Sequence, residues 1–226
     1  MTTGTASRRQ AKDALYDGFA TIARALASGR RAEIVDVLSQ GERTVEEIAR
    51  EIDQSMANTS HHLRALAQAK LVSTRRTGTH IHYRLASPKV ADAWAALRDL
   101  AAEQLDEIDD LATAYLGNRH ELSTITRDEL LARLDRDELV LIDVRPEAEY
   151  AAGHIPGAIS TPPDQLDTAL DELPDQGEVV AYCRGPYCAH ADDAVRTLQA
   201  RGRRALRLED GLPEWDRHGG TIERAS

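Results

Sequence analysis

At 226 residues, with 42% hydrophobic and 29% charged side chains, the chain has the length and composition of two globular domains and not of a disordered or fibrous protein. No apolar run approaches the roughly 18 residues that span a bilayer, and the start MTTGTASRRQ lacks the apolar stretch of a secretory signal, so a cytoplasmic protein with no membrane partner is expected. The net charge of −10 argues against nucleic acid only until the chain is divided: residues 1–120 hold 16 basic and 16 acidic side chains, and residues 121–226 carry the whole excess of acid.

Leu15, Phe19, Ile22, Ala23 and Leu26 follow helical spacing up to Gly29, and a second helix, RRAEIVDVLSQ, ends at Gly41. Thr44 and Glu47 form a capping-box pattern that opens TVEEIAREI. After Asp53 and Gln54, Ser55 is placed to cap SMANTSHHLRALAQAK, with Met56, Leu63 and Leu66 directed to a core. Asn58, Thr59, Ser60, His61 and Arg64 are left for the other face. Two helices around a tight turn, the second polar near its start, make a helix-turn-helix that reads the major groove, and these five residues are the candidate contacts to double-stranded operator DNA.

The segment LVSTRRTGTHIHYRLA alternates around Thr77, Gly78 and Thr79 as a hairpin, a wing that offers Arg75, Arg76 and His80 to phosphates. Residues 54–91 carry six basic side chains and no acidic one. Helix-turn-helix shapes also serve as protein-interaction modules, but helix, turn, helix and basic wing in this order favour DNA. His61, His62, His80 and His82 lack a companion thiolate or carboxylate pattern and are read as surface or groove residues; no metal and no cofactor are expected. Residues 88–116 are helical in pattern, and Val90, Trp94, Leu97, Leu100, Leu105, Ile108 and Leu111 exceed what a small domain needs, which suits a homodimer contact.

This order of elements, and the stretch EIAREIDQSMANTSHHLRALAQAKLVSTRRTGTHIHYRLA, resemble the ArsR/SmtB family of dimeric winged-helix repressors over residues 10–117. The resemblance implies that residues 55–69 are the recognition helix, residues 74–83 the wing, and the first and last helices the dimer contact. No cysteine lies in this region, so the cysteine metal-thiolate sites of the metal-sensing members cannot exist here.

Gly117 to His120 end the long helix, which sets the domains at 1–120 and 121–226, and Thr126 with Glu129 forms another capping box. Beyond it ELVLIDV, GAIS, DQLDTALDEL, EVVAY, HADDAVRTLQARG and RALRL alternate strand with helix, the pattern of an α/β domain with a parallel sheet. Cys183 ends the run EVVAY, and Arg184, Gly185, Pro186, Tyr187, Cys188 and Ala189 lead into the next helix. A loop at the carboxyl end of a strand, entering a helix N-terminus, holds anions and favours a thiolate, so Cys183 is the candidate nucleophile. Two cysteines in one short stretch of a reducing compartment argue for reactivity over a disulfide framework.

LIDVRPEAEYAAGHIPGAIS, YCRGPYC and LEDGLPEW, in this order, resemble the single-domain rhodanese family over residues 123–220. That resemblance implies that Cys183 accepts a sulfane sulfur as a persulfide, that the amides of residues 184–189 cradle the anion, and that Asp143 and Arg145 support the site. Tyr187 and Cys188 stand where many such loops carry a basic or hydroxyl residue, and the spacing after Cys183 is longer, as in phosphatases and arsenate reductases of the same broad fold. The small-molecule partner is therefore a sulfur donor or an oxyanion. Cys188 is either a resolving thiol for Cys183 or a passive thiol packed beside the loop. The whole reads as a DNA-binding regulator, a repressor whose Cys183 senses or transfers sulfane sulfur; the alternative is a DNA-tethered sulfurtransferase or arsenate-reductase-like enzyme without thiol control of binding.

Overall fold

The computed structural model describes residues 7–134, 136, 138–174 and 177–224; the first six residues of the MTTGTASRRQ start lie outside them. It divides within one helix into two compact units, residues 1–98 and 99–226, each considered by itself. Among the described residues no helix is long and apolar enough to cross a membrane.

The first unit runs α1 (Arg8–Leu26), α2 (Gly29–Ser39), β1 (Arg43–Thr44), α3 (Val45–Glu51), α4 (Met56–Gln68), β2 (Val72–Thr77), β3 (His80–Leu85) and the start of α5 (Pro88–Gln104). Local chemistry sets the helix starts. The Thr44 side chain accepts from the Glu47 amide while the Glu47 carboxylate accepts from the Thr44 amide, and the Ser55 hydroxyl accepts from the Asn58 amide. Ile34, Val35, Ile48, Ile52, Leu63 and Leu66 close the core, each contributing on the order of 1.5–3 kcal/mol by leaving water. Trp94 of α5 packs on this core and donates its indole N–H to Asp36 Oδ1 at 2.8 Å. The β2–β3 hairpin turns at Gly78, whose φ of +61° suits glycine, and β1 pairs antiparallel with β3 to complete a sheet ordered β1-β3-β2.

Leu15, Phe19 and Ile22 of α1 are exposed, while its end, Ala25 and Leu26, joins the core. Two expectations are corrected here. Met56, the first residue of α4, is half exposed, because the turn before α4 holds it outside the core that Leu63 and Leu66 enter. The long helix over 88–116 is broken: α5 ends at Gln104, and α6 (Glu107–Leu116) starts anew with Glu107, Asp109 and Asp110 in its first turn, where a helix N-terminus favours carboxylates.

The second unit continues through β4 (Thr124–Ile125), α7 (Arg127–Leu134), β5 (Leu139–Asp143), α8 (Glu147–Ala152), β6 (Ile159–Ser160), a 3-10 turn (Pro163–Gln165), α9 (Leu166–Glu172), β7 (Glu178–Tyr182), α10 (Ala189–Ala200), β8 (Ala205–Leu208) and α11 (Leu212–Arg217). Its five strands, ordered β4-β8-β7-β5-β6, pair parallel throughout. The sheet is buried on both faces, as a parallel sheet requires. Along β7, Val179, Ala181 and then Cys183 face α10 with Ala191, Ala194, Val195 and Leu198, whereas Val180 and Tyr182 face Leu130, Ile155 and Trp215. This α/β architecture after a winged helix-turn-helix is the expected fold class.

Candidate functional site

Cys183 is buried at the carboxyl end of central strand β7, and residues 184–188 form the loop into α10. The loop closes on itself. Cys183 and Cys188 are joined by a disulfide with Cα atoms 6.2 Å apart, and the Cys188 amide donates to Gly185 O at 3.2 Å. Cys188 is therefore a partner of Cys183 in this structure and not a bystander. It is also the N-cap residue, immediately before α10. Two thiols at the positive end of a helix are placed to ionise and to exchange sulfur once reduced.

Beneath the loop lies a buried polar frame. Asp143, at the end of β5, is in register with Tyr182, and its carboxylate accepts from the Tyr182 hydroxyl at 2.7 Å and from Arg145 Nε at 2.9 Å. Arg145 also donates to Gly153 O at 2.6 Å. Burial and the adjacent Asp143 carboxylate push the Tyr182 phenol far above its usual range, which keeps it a hydrogen-bond donor. For Arg145, burial opposes the charge, but the bond to Asp143 outweighs it and raises the pKa. Tyr182 immediately precedes Cys183, so this frame fixes where the strand delivers the thiol.

Arg184 does not point its charge freely at the loop. Its Nε and Nη2 donate to the two carboxylate oxygens of Glu149 on α8, at 3.0 and 2.6 Å, and Glu149 is fully buried. Gly211 presses on the other side. A Cβ there would fall on the Arg184–Gly185 backbone, and the next residue, Leu212, donates its amide to Cys183 O at 3.1 Å. Around the start of α10, fully buried Asp192 accepts from Arg119 Nε and Nη2 at 2.6 and 3.0 Å. Arg207 Nε forms an ion pair with Asp192 Oδ1 at 2.9 Å, while Arg207 Nη2 donates to Pro186 O at 2.7 Å. Arg196 Nη2 donates to Leu116 O at 2.9 Å and thus ties α10 to the end of α6.

In the first unit, α4 leaves Asn58, His61 and Arg64 exposed at helical spacing along one stripe, with Ser60 half-buried beside them. Thr59 is corrected: it is fully buried and its hydroxyl donates to Ser55 O at 3.0 Å, because the position one residue from the stripe faces the core. On the wing Arg75, Arg76 and His80 are all exposed. Arg75 donates to Glu42 Oε2 from Nε and Nη2 at 3.0 and 2.7 Å, and Arg76 Nε to Gly78 O at 3.1 Å.

Residues 28–74 match the model of the bacterial regulatory proteins of the arsR family, and residues 126–218 match the rhodanese-like domain. The HTH-type transcriptional regulator Rv0324 of Mycobacterium tuberculosis is 45% identical over 210 residues, 93% of this chain and 92% of that protein. The chain belongs to the ArsR-type transcriptional regulators and carries a rhodanese-like domain. Its second unit is similar to a sulfurtransferase of Allochromatium vinosum, 34% identical over 43% of this chain and 92% of that protein. Its first is similar to the homodimeric winged helix-turn-helix DNA-binding domain Mb0332 of Mycobacterium bovis, 40% identical over 47% of this chain and 95% of that structure, with a TM-score of 0.41.

Sequence reasoning quoted Glu149 and Gly211 in the regulator without giving either a task, and it missed Tyr182, Arg119, Asp192 and Arg207. Glu149 carried a signal, since a charged residue on the buried side of a short helix needs a partner of opposite charge. Arg119 and Asp192 carried none, being 73 residues apart.

Proposed function

We propose that this regulator binds operator DNA as a homodimer and is released when Cys183 takes up sulfane sulfur. The observation that carries the reading is the pairing of Cys183 with Cys188 inside one loop at the end of β7. In the reduced protein, the Cys183 thiolate attacks the outer sulfur of an organic persulfide, RS–SH, forming Cys183–S–SH and releasing RS⁻. The Cys188 thiolate then attacks Sγ of Cys183 and expels HS⁻, leaving the disulfide. The persulfide is the oxidant, and two thiols are oxidised per donor reduced to thiol and sulfide. The helix N-terminus favours the thiolate, and the loop amides stabilise the developing anion, apart from Pro186, which has no N–H, and Cys188, whose N–H donates to Gly185 O. Asn58, Ser60, His61 and Arg64 read the major groove, and Arg75, Arg76 and His80 contact phosphates. The exposed apolar residues of α1 and α5, among them Leu15, Phe19, Leu97 and Leu100, supply the homodimer contact.

The test is fluorescence anisotropy of the reduced protein on its own upstream promoter DNA, titrated with an organic persulfide. Wild type is expected to dissociate and Cys183→Ser to stay bound; equal release of both overturns the reading. The likeness to a sulfurtransferase favours one rival, an enzyme tethered to DNA without thiol control. Multiple turnovers with thiosulfate and a thiol acceptor, with DNA affinity unmoved, would establish that rival, and turnover of arsenate would establish its arsenate-reductase form.

A further inference from the structure

We infer that Glu149 sets the charge of the sulfur donor, by cancelling Arg184, so that the Cys183 loop takes sulfur from weakly charged persulfides and rejects dianions such as thiosulfate and arsenate. The inference rests on the reading of Cys183 as a sulfur acceptor. Arg184 is the one lysine or arginine between Cys183 and Arg196, so it is the only permanent cation the loop brings to an incoming anion. Both oxygens of a fully buried carboxylate engage it, and Arg184 itself is only 13% exposed. The pair is thus neutral as a unit and fixed in place, not an exposed contact that a substrate displaces.

The other charged groups around the loop are already engaged. Asp192, in the first turn of α10, lies between Arg119 and Arg207, and Arg207 also donates to Pro186 O. Asp210 and Glu214 flank Gly211, which abuts the Arg184–Gly185 backbone; burial, then Glu214, raise the Asp210 carboxyl. A dianion meeting this loop gains backbone amides but no guanidinium free of a protein partner, whereas a persulfide needs only the amides and a nucleophile. Glu149 acts through Arg184 and is a positioning residue. Its signature is a change in donor preference, not in overall rate.

Both donors give the same product: attack on the outer sulfur of RS–SH expels RS⁻, and attack on the sulfane sulfur of thiosulfate expels sulfite, each leaving Cys183–S–SH. Reduced full-length protein is mixed with either donor at pH 8, and the added sulfur on Cys183 is timed by mass spectrometry after alkylation. Wild type is expected to react at least about tenfold faster with an organic hydropersulfide than with thiosulfate. Glu149→Gln is expected to shift the ratio toward thiosulfate by about tenfold, and Glu149→Gln with Arg184→Gln to return it. Tyr187→Lys adds a cation to the loop without touching the buried pair, and is expected to shift the ratio the same way. A ratio unmoved by both Glu149→Gln and Tyr187→Lys, or by Tyr187→Lys alone should Glu149→Gln not fold, overturns the inference, as does a wild type that consumes thiosulfate as fast as persulfide. Wild type inert to both donors instead overturns Cys183 as a sulfur acceptor, and this inference with it.

Discussion

Arg75 on the wing and Arg184 in the rhodanese-like loop are each held through Nε and Nη2 by one glutamate, yet the two pairs do opposite things. Arg75 is about half exposed and Glu42 about a quarter, so their attraction is screened and worth little, and a DNA phosphate can take the guanidinium over. Glu149 is fully buried and Arg184 largely so, and breaking the pair leaves the carboxylate with no water to solvate it. An arginine held on one carboxylate oxygen at the surface is thus a releasable latch, and one held on both oxygens of a buried carboxylate is a fixed neutral unit. Burial, not bond length, decides which.

The comparison breaks most visibly at Glu149. Glu149→Ala is expected to destabilise the second unit by about 3–5 kcal/mol, read as a lower urea midpoint, while Glu42→Ala moves the midpoint little. Gly211→Ala, which drives a methyl into the Arg184–Gly185 backbone, is expected to cost about 1–3 kcal/mol and to slow alkylation or sulfuration of Cys183; an unchanged midpoint would mean the loop yields freely. Arg75→Ala is expected to weaken DNA binding evenly across sequences and to reduce the slope of log affinity against log salt by about 1. Glu42→Gln should act in the opposite direction, tightening DNA binding a few-fold at low salt by freeing Arg75, a gain that fades as salt rises.

The smallest effect concerns pH in the first unit. Burial, then the neighbouring His61, lower the pKa of His62 below 6.5, and its Nδ1 is buried without a hydrogen-bond partner. The unfolded chain therefore binds the proton more readily than the fold does, and stability falls as pH drops through 6.5 toward the folded value. His62→Gln is expected to flatten that fall in thermal melts between pH 7 and 5. The Glu42 carboxyl, lowered chiefly by its bond to Arg75, gives a loss only at more acid pH, below 4.5.

Much of this molecule is legible in order along the chain. The capping boxes at Thr44–Glu47 and Thr126–Glu129, the cap at Ser55, the Gly78 turn and the alternation in EVVAY are all contacts between residues two to four apart, so spacing alone announces them. The helix-turn-helix, the wing, the parallel sheet and the placement of Cys183 before a helix follow from those local rules. Helical and strand periodicity, however, names a face without saying what covers it. Thr59 went to the core and Met56 to solvent, and the α1 stripe found no cover within its own unit, because packing between helices decides which side of a helix is inside. Likewise the sequence determined that Cys183 directly follows β7 and leads toward a helix, while only the tertiary structure decided that Glu149 neutralises Arg184 from 35 residues away and that Asp192 stands between Arg119 and Arg207. Buried charges must find partners wherever the topology brings them, and no local rule records that choice.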